Sequence, residues 1–107
     1  MNIPAEVPSA IHRRMEAGED LTLIDVREPE EVAIACLKGA LIRPMSQAER
    51  WIDSLPREGT LVIMCHHGMR SLHVAQALAE RGHTNVVNLS GGIDLWSLEV
   101  DASVPRY

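Results

Sequence analysis

Cys65, Gly68, Arg70 and Ser71 follow the apolar run Thr60-Leu61-Val62-Ile63-Met64 and precede Leu72, Ala75, Leu78 and Ala79 at helical spacing. The segment therefore reads as a strand, a short loop and a helix start. A thiol in that place faces unpaired backbone N–H groups and the positive end of a helix dipole, and both favour a sulfur anion, the nucleophilic form of cysteine. Gly68 permits a tight, inward-turned backbone whose N–H groups converge. Arg70 supplies a fixed positive charge able to hold an oxyanion by paired hydrogen bonds. Ser71 can cap the helix, and its hydroxyl can reach the sulfur. The competing reading of Cys65 alone is a small apolar residue ending a core strand; with Gly, Arg and Ser at these spacings, a nucleophile is the better account.

His66 and His67 read two ways, as solvent-facing loop residues or as sources of partial positive charge near neutral pH. A zinc site from Cys65, His66, His67 and His73 has poor spacing, because adjacent residues rarely aim at one ion and no second cysteine pair supports it. Neither a metal nor another cofactor is expected.

The elements that would position this loop alternate. Val7-Pro8-Ser9 through Met15 reads as a helix stopped by Gly18, and Leu21 to Val26 as a buried strand. Glu28-Pro29-Glu30-Glu31 opens a helix with Pro29 in its first turn, and Ala40-Leu41-Ile42 is a short strand. Ser46 to Leu55 reads as a helix, with Ser46 and Glu49 in a capping-box pattern. Thr60 to Met64 is the strongest strand. A helix ending at Gly82, a strand from Asn85 to Leu89, and a helix from Ile93 to about Val100 follow; Asp101 to Tyr107 shows no pattern. Strands alternating with helices predict a mainly parallel sheet covered on both faces, with a site beyond the carboxyl ends of the strands.

Bulk properties narrow the function. The 107 residues fit one domain, 1–107. Only 3% are aromatic, with no Phe, so the core must come from Leu, Ile, Val, Ala and Met. A formal net charge of −5 argues against a nucleic-acid or anionic-membrane partner. Met1 to Pro8 lacks the pattern of a secretory signal, no apolar run suits a membrane span, and two cysteines are too few for a disulfide framework. A reducing cytoplasmic location is the expectation.

Three linked segments carry a family resemblance: Leu23 to Glu31 with Asp25-Val26-Arg27; Lys38 to Met45 with Gly39-Ala40; and Cys65 through Ser71 followed by Gly91-Gly92-Ile93-Asp94-Leu95-Trp96. In this order and spacing, from about Ile3 to Trp96, the chain resembles the rhodanese family of sulfurtransferases. The resemblance implies a rhodanese-like three-layer α/β fold, with a mainly parallel central sheet flanked by helices on both faces. It implies that Cys65 attacks the outer sulfur of a donor such as thiosulfate, with Arg70 as its catalytic partner. His66, His67, Gly68, Met69 and Ser71 would form the substrate-binding loop. The outer sulfur of the Cys65 persulfide would then pass to cyanide, a small thiol or a protein thiol. Asp25 and Arg27 look structural, with Arg27 pairing an acid such as Glu31, and Trp96 packs in the core.

The chain departs from the family at Ala35-Cys36-Leu37, where Gly-His-Ile is frequent, which adds a second thiol, Cys36, expected to be packed and inert. Arg70 is the loop's only permanent cation. Two rival readings remain: a phosphatase of the Cys-loop-Arg type, whose loop has five residues between Cys and Arg against four here, and a binding module that kept the fold without the chemistry.

Overall fold

A computed structural model describes residues 2–107. Five strands, β1 (Ala5–Glu6), β2 (Leu21–Asp25), β3 (Leu41–Ile42), β4 (Thr60–Met64) and β5 (Val86–Leu89), form one sheet in the order β1-β5-β4-β2-β3. Every pair is parallel. The helices are α1 (Pro8–Glu16), α2 (Pro29–Ile34), α3 (Ala48–Trp51), α4 (Met69–Glu80) and α5 (Gly92–Glu99).

The continuous apolar runs divide by strand alternation into two cores. Ile24, Val26, Leu61, Ile63 and Cys65 pack on one face with Trp51, Val74, Ala75 and Leu78 from α3 and α4. Leu23, Val62, Met64 and Leu89 pack on the other with Ile11 of α1 and Ile93 and Trp96 of α5. The expected three-layer parallel architecture is present, and Trp96 is 6% exposed within the second core.

Two local expectations are corrected. Strand β1 was not foreseen, because two residues carry no periodicity; it forms because Asn88 and Ser90 donate backbone hydrogen bonds to Pro4 and Glu6. The helix expected over Ser46–Leu55 is a 3₁₀ turn at Met45–Gln47 followed by the four-residue α3. Ser46 does not cap it with Glu49. Its hydroxyl donates instead to Glu28 Oε1 at 2.6 Å and its N–H to Oε2 at 3.2 Å. The reciprocal contact of a capping box is made at α2, where the Glu28 N–H donates to Glu31 Oε1 at 3.2 Å.

Arg27 is fully buried, and so is its ion-pair partner, which is Asp25 rather than Glu31. Two residues apart on extended chain, Asp25 and Arg27 project to the same side. The guanidinium donates from Nε to Asp25 Oδ1 at 3.0 Å and from Nη2 to Oδ2 at 2.7 Å. Its remaining hydrogens go to the Ala35 and Glu31 carbonyl oxygens and to the Tyr107 hydroxyl, at 2.7, 3.3 and 2.9 Å. All five donors of the fork are thus matched, as a buried charge requires. Arg27→Met leaves Asp25 charged and alone in the interior. It should lower the unfolding free energy by about 3–5 kcal/mol in urea titrations, whereas a change below about 1 kcal/mol would show the pair to be dispensable.

Candidate functional site: a cysteine cradle at the carboxyl end of the sheet

Cys65 directly follows β4, the central strand, and is 1% exposed. Its sulfur accepts the Gly68 N–H at 3.1 Å and the Ser71 N–H at 3.4 Å. Ser71 Oγ lies 3.3 Å from the same sulfur. Gly68, not Ser71, holds the N-cap position of α4, with φ at +117°, a backbone state that favours glycine. Ser71 stands a turn inside the helix, where its N–H is still free of an intrahelical partner and available to sulfur.

The inward aim of these N–H groups has a cause on the opposite side of the loop. The carbonyls of Cys65 and His66 face outward and accept the Ile93 and Asp94 N–H groups of the first turn of α5, at 2.9 and 3.2 Å. Two helix N-termini therefore meet at one loop: α4 faces its sulfur and α5 binds its carbonyls. The close approach depends on Gly92, at φ +58°, because a Cβ there would collide with the Cys65 and His66 carbonyl oxygens.

Asn88, on β5, is a site residue that sequence reasoning missed. Its Nδ2 donates to the Gly68 carbonyl at 3.1 Å, so its Oδ1 accepts the Ser71 hydroxyl at 2.6 Å. With the Ser71 hydrogen committed to Asn88, the Cys65 thiol is the donor between Sγ and Oγ. An asparagine within a buried strand carried no signal before β5 and β4 were seen side by side.

Arg70 projects from the first turn of α4 to Glu31 of α2. Its Nη1 and Nη2 donate to Oε1 and Oε2 at 2.5 and 2.9 Å, a two-pronged pair. The loop's permanent cation is therefore neutralised where the sequence left it free. The Arg70 hydrogen bonds, then those from Tyr107 and the Glu28 backbone, outweigh burial and hold Glu31 at about 2 against an ordinary 4.5.

The tail that showed no pattern is docked against the loop. Ser97 Oγ donates to the Val104 carbonyl at 2.6 Å, and Arg106 Nε donates to Asp94 at 2.8 Å. The Tyr107 ring stacks on His66 with centroids 3.9 Å apart and planes within 8°. Burial pushes the Tyr107 phenol above its ordinary value, and its hydroxyl donates to Glu31 Oε2 at 2.8 Å. Tyr107 links Glu31 to Arg27.

Of the two histidines, His66 is partly buried between Tyr107 and His67; burial, then the neighbouring His67, pushes its pKa below the ordinary value and favours its neutral form. Its Nε2 is buried and unpartnered among the described residues. The His67 side chain is 64% exposed and lies 3.7 Å from Asp94. His66, His67 and Asp94 bring ligand-type atoms within 4.8 Å of one another. The two imidazoles stack at 3.9 Å with a 31° tilt, and Asp94 is held by Arg106. Met69 is 69% exposed, so its side chain faces solvent rather than the sulfur.

Cys36 is exposed, which corrects the expectation that it is packed. It borders a cleft of about 510 Å³ with His12, Lys38 and Trp96, on the α1–α5 side and apart from the Cys65 loop.

The structure is a parallel α/β sheet with a buried strand-end cysteine whose sulfur faces the first amides of the following helix. The chain belongs to the rhodanese-like domain family, whose profile matches residues 7–99. It is 40% identical over 105 residues to the chloroplastic rhodanese-like/PpiC domain-containing protein 12 of Arabidopsis thaliana, a match covering 91% of this chain and 35% of that protein. It is 33% identical over 88 residues to a sulfurtransferase of Allochromatium vinosum, covering 82% of each. The human single-domain sulfurtransferase TSTD1 superposes with a TM-score of 0.79 at 26% identity, over 92% of this chain and 98% of that one. No helix among the described residues is long and apolar enough to cross a membrane.

Two predictions follow from the geometry. Gly92→Ala should push the Cys65–His66 backbone out of place; the folded variant should show altered amide shifts at Gly68 and Ser71 by NMR, and unchanged shifts would refute the role given to the close approach. The second concerns acid. A carboxyl whose folded pKa is depressed contributes stability above about 4.5 that is lost as pH falls toward about 2. Unfolding in that window should take up about one proton fewer in Glu31→Gln than in the wild type, read from the pH dependence of the urea unfolding free energy. Parallel wild-type and variant profiles would deny Glu31 this linkage.

Proposed function

We propose that this protein is a sulfurtransferase that carries sulfane sulfur as a persulfide on Cys65. The carrying observation is the buried Cys65 sulfur facing the Gly68 and Ser71 N–H groups at 3.1 and 3.4 Å. The likeness to proteins named as sulfurtransferases supports the same reading.

In the first half-reaction the Cys65 thiolate attacks the outer sulfur of a donor such as thiosulfate. The donor's S–S bond breaks, and sulfite leaves with the electron pair. The sulfur stays on Cys65 as a persulfide, within reach of the amides fixed by the α4 N-terminus. In the second, cyanide or the thiolate of a small molecule or protein attacks that outer sulfur, and Cys65 leaves as thiolate. No net oxidation occurs, and the covalent intermediate separates the two substrates in time, so the kinetics are ping-pong. Gly68 and Ser71 hold the sulfur. Ser71 Oγ, oriented by Asn88, accepts a hydrogen bond from the resting Cys65 thiol, and that proton is given up to solvent before the thiolate attacks. Arg70, His66, His67 and Met69 border the cradle, and residues 1–107 act as one domain.

Intact mass spectrometry tests this directly, on wild type, Cys65→Ser and Cys36→Ser incubated with thiosulfate, mercaptopyruvate or an organic hydropersulfide. Wild type and Cys36→Ser should gain one sulfur atom removable by reductant, and Cys65→Ser none. Absence of added sulfur from all three donors would favour a binding module instead.

A further inference from the structure

Building on the reading of Cys65 as a sulfur carrier, we infer that Glu31 is a specificity-determining residue that turns the site from dianionic donors such as thiosulfate toward donors of lower charge. The natural donor class is then a monoanionic or uncharged carrier of sulfane sulfur, such as an organic hydropersulfide.

Charge accounting around the cradle carries the inference. Arg70 is the one permanent cation within the loop, and both of its Nη atoms are occupied by the Glu31 carboxylate. The Tyr107 hydroxyl donates to that carboxylate as well, and the Arg27 guanidinium donates to the same hydroxyl. Glu31 is thereby held from two sides. Arg27 is itself matched by Asp25, and Arg106 by Asp94. Arg43 follows the edge strand β3, two strands across from β4, and donates to its own Ile42 carbonyl. What remains to attract an anion is the set of amides at the α4 N-terminus, equivalent to about half a unit charge. That field suits one developing negative charge on sulfur. A second formal charge on the donor finds no free cation, because the Glu31–Arg70 pair is neutral as a unit, and it enters the field of a chain of net charge −5.

With a hydropersulfide R–S–SH, the Cys65 thiolate attacks the outer sulfur, the bond between the donor's two sulfurs breaks, and R–S⁻ leaves with the electron pair. The proton stays on the transferred sulfur, so the products are Cys65–S–SH and a thiolate. Atoms and charge balance without an oxidant or reductant.

The test compares two donors with the same outer sulfur and different charge, thiosulfate and methanethiosulfonate, the second lacking one negative charge. Sulfur transfer to cyanide is measured with each for wild type, Glu31→Gln and Tyr107→Phe. Intrinsic differences between sulfite and methanesulfinate as leaving groups cancel when the ratio of the two kcat/KM values is compared across enzyme forms. That ratio should rise in favour of thiosulfate by roughly tenfold in Glu31→Gln, the scale of one nearby unit charge at a protein surface. It should rise less, in the same direction, in Tyr107→Phe, which keeps the stacking on His66 and releases the carboxylate on one side. Added salt should narrow the gap between wild type and Glu31→Gln for thiosulfate. An unchanged ratio in a folded Glu31→Gln, including equal loss with both donors, overturns the inference and shows a structural role only. If Glu31→Gln does not fold, the ratio in Tyr107→Phe decides. Failure of every form to load Cys65 with thiosulfate, methanethiosulfonate or an organic hydropersulfide is a different result, read by mass, and removes the sulfur-carrier reading together with the inference.

Discussion

A fully buried guanidinium is the constraint on which much of this structure turns. Arg27 sits where water cannot reach it, so each of its five N–H donors must find an acceptor in the protein. Asp25 supplies the countercharge and two acceptors. The remaining acceptors come from the carbonyls of Glu31 and Ala35 and from the Tyr107 hydroxyl. Satisfying one charge thus fixes the end of β2, the path of α2 and the docking of the tail. Each of those segments in turn borders the cysteine loop.

The loop is shaped from outside as much as from within. Its peptide planes are turned so that the Cys65 and His66 carbonyls meet the first N–H groups of α5, while the Gly68 and Ser71 N–H groups meet the sulfur. A strand leading into a helix supplies the second half of this arrangement in any parallel α/β sheet. The first half needs α5 to arrive within hydrogen-bonding distance of a loop more than twenty residues earlier in the chain, and Gly92 to have no side chain in the way. Because the orientation is already set in the folded state, stabilising charge on sulfur requires little further reorganisation.

Electrostatics around the sulfur are unlike those of a generic anion site. A helix N-terminus and an arginine in one loop suggest strong attraction for anions, yet the arginine is spent on Glu31, and burial under the stacked tyrosine pushes His66 toward its neutral form. The carboxylate, the phenol and the two guanidiniums form one chain from Asp25 to Arg70. Through it the buried pair that holds the fold also sets the charge presented beside the cradle.

The alternation of elements, the two-faced apolar runs and the Cys65 loop were legible in the sequence because each depends on residues within a few positions of one another. Thr60–Met64 must form a strand whatever lies beside it, and Gly68 allows the turn that aims amides at the preceding sulfur. The Gly91-Gly92 block was visible as a motif, though its reason was not. Partner choice was not legible. Arg27 had several acids within reach of its sequence position and took Asp25; Glu31, free of that duty, took Arg70; Ser46 turned to Glu28 rather than to Glu49. Charged side chains are long and their spacing is permissive, so which pair forms depends on burial and on which elements pack together. Asn88, Tyr107 and strand β1 belong to the same group, since each acquires its role only from a neighbour distant in sequence. The sequence by itself determined the alternation of the main strands and helices and the place of the cysteine loop; the tertiary structure decided which charges meet, because only packing fixes the distances on which Coulomb forces and hydrogen bonds depend.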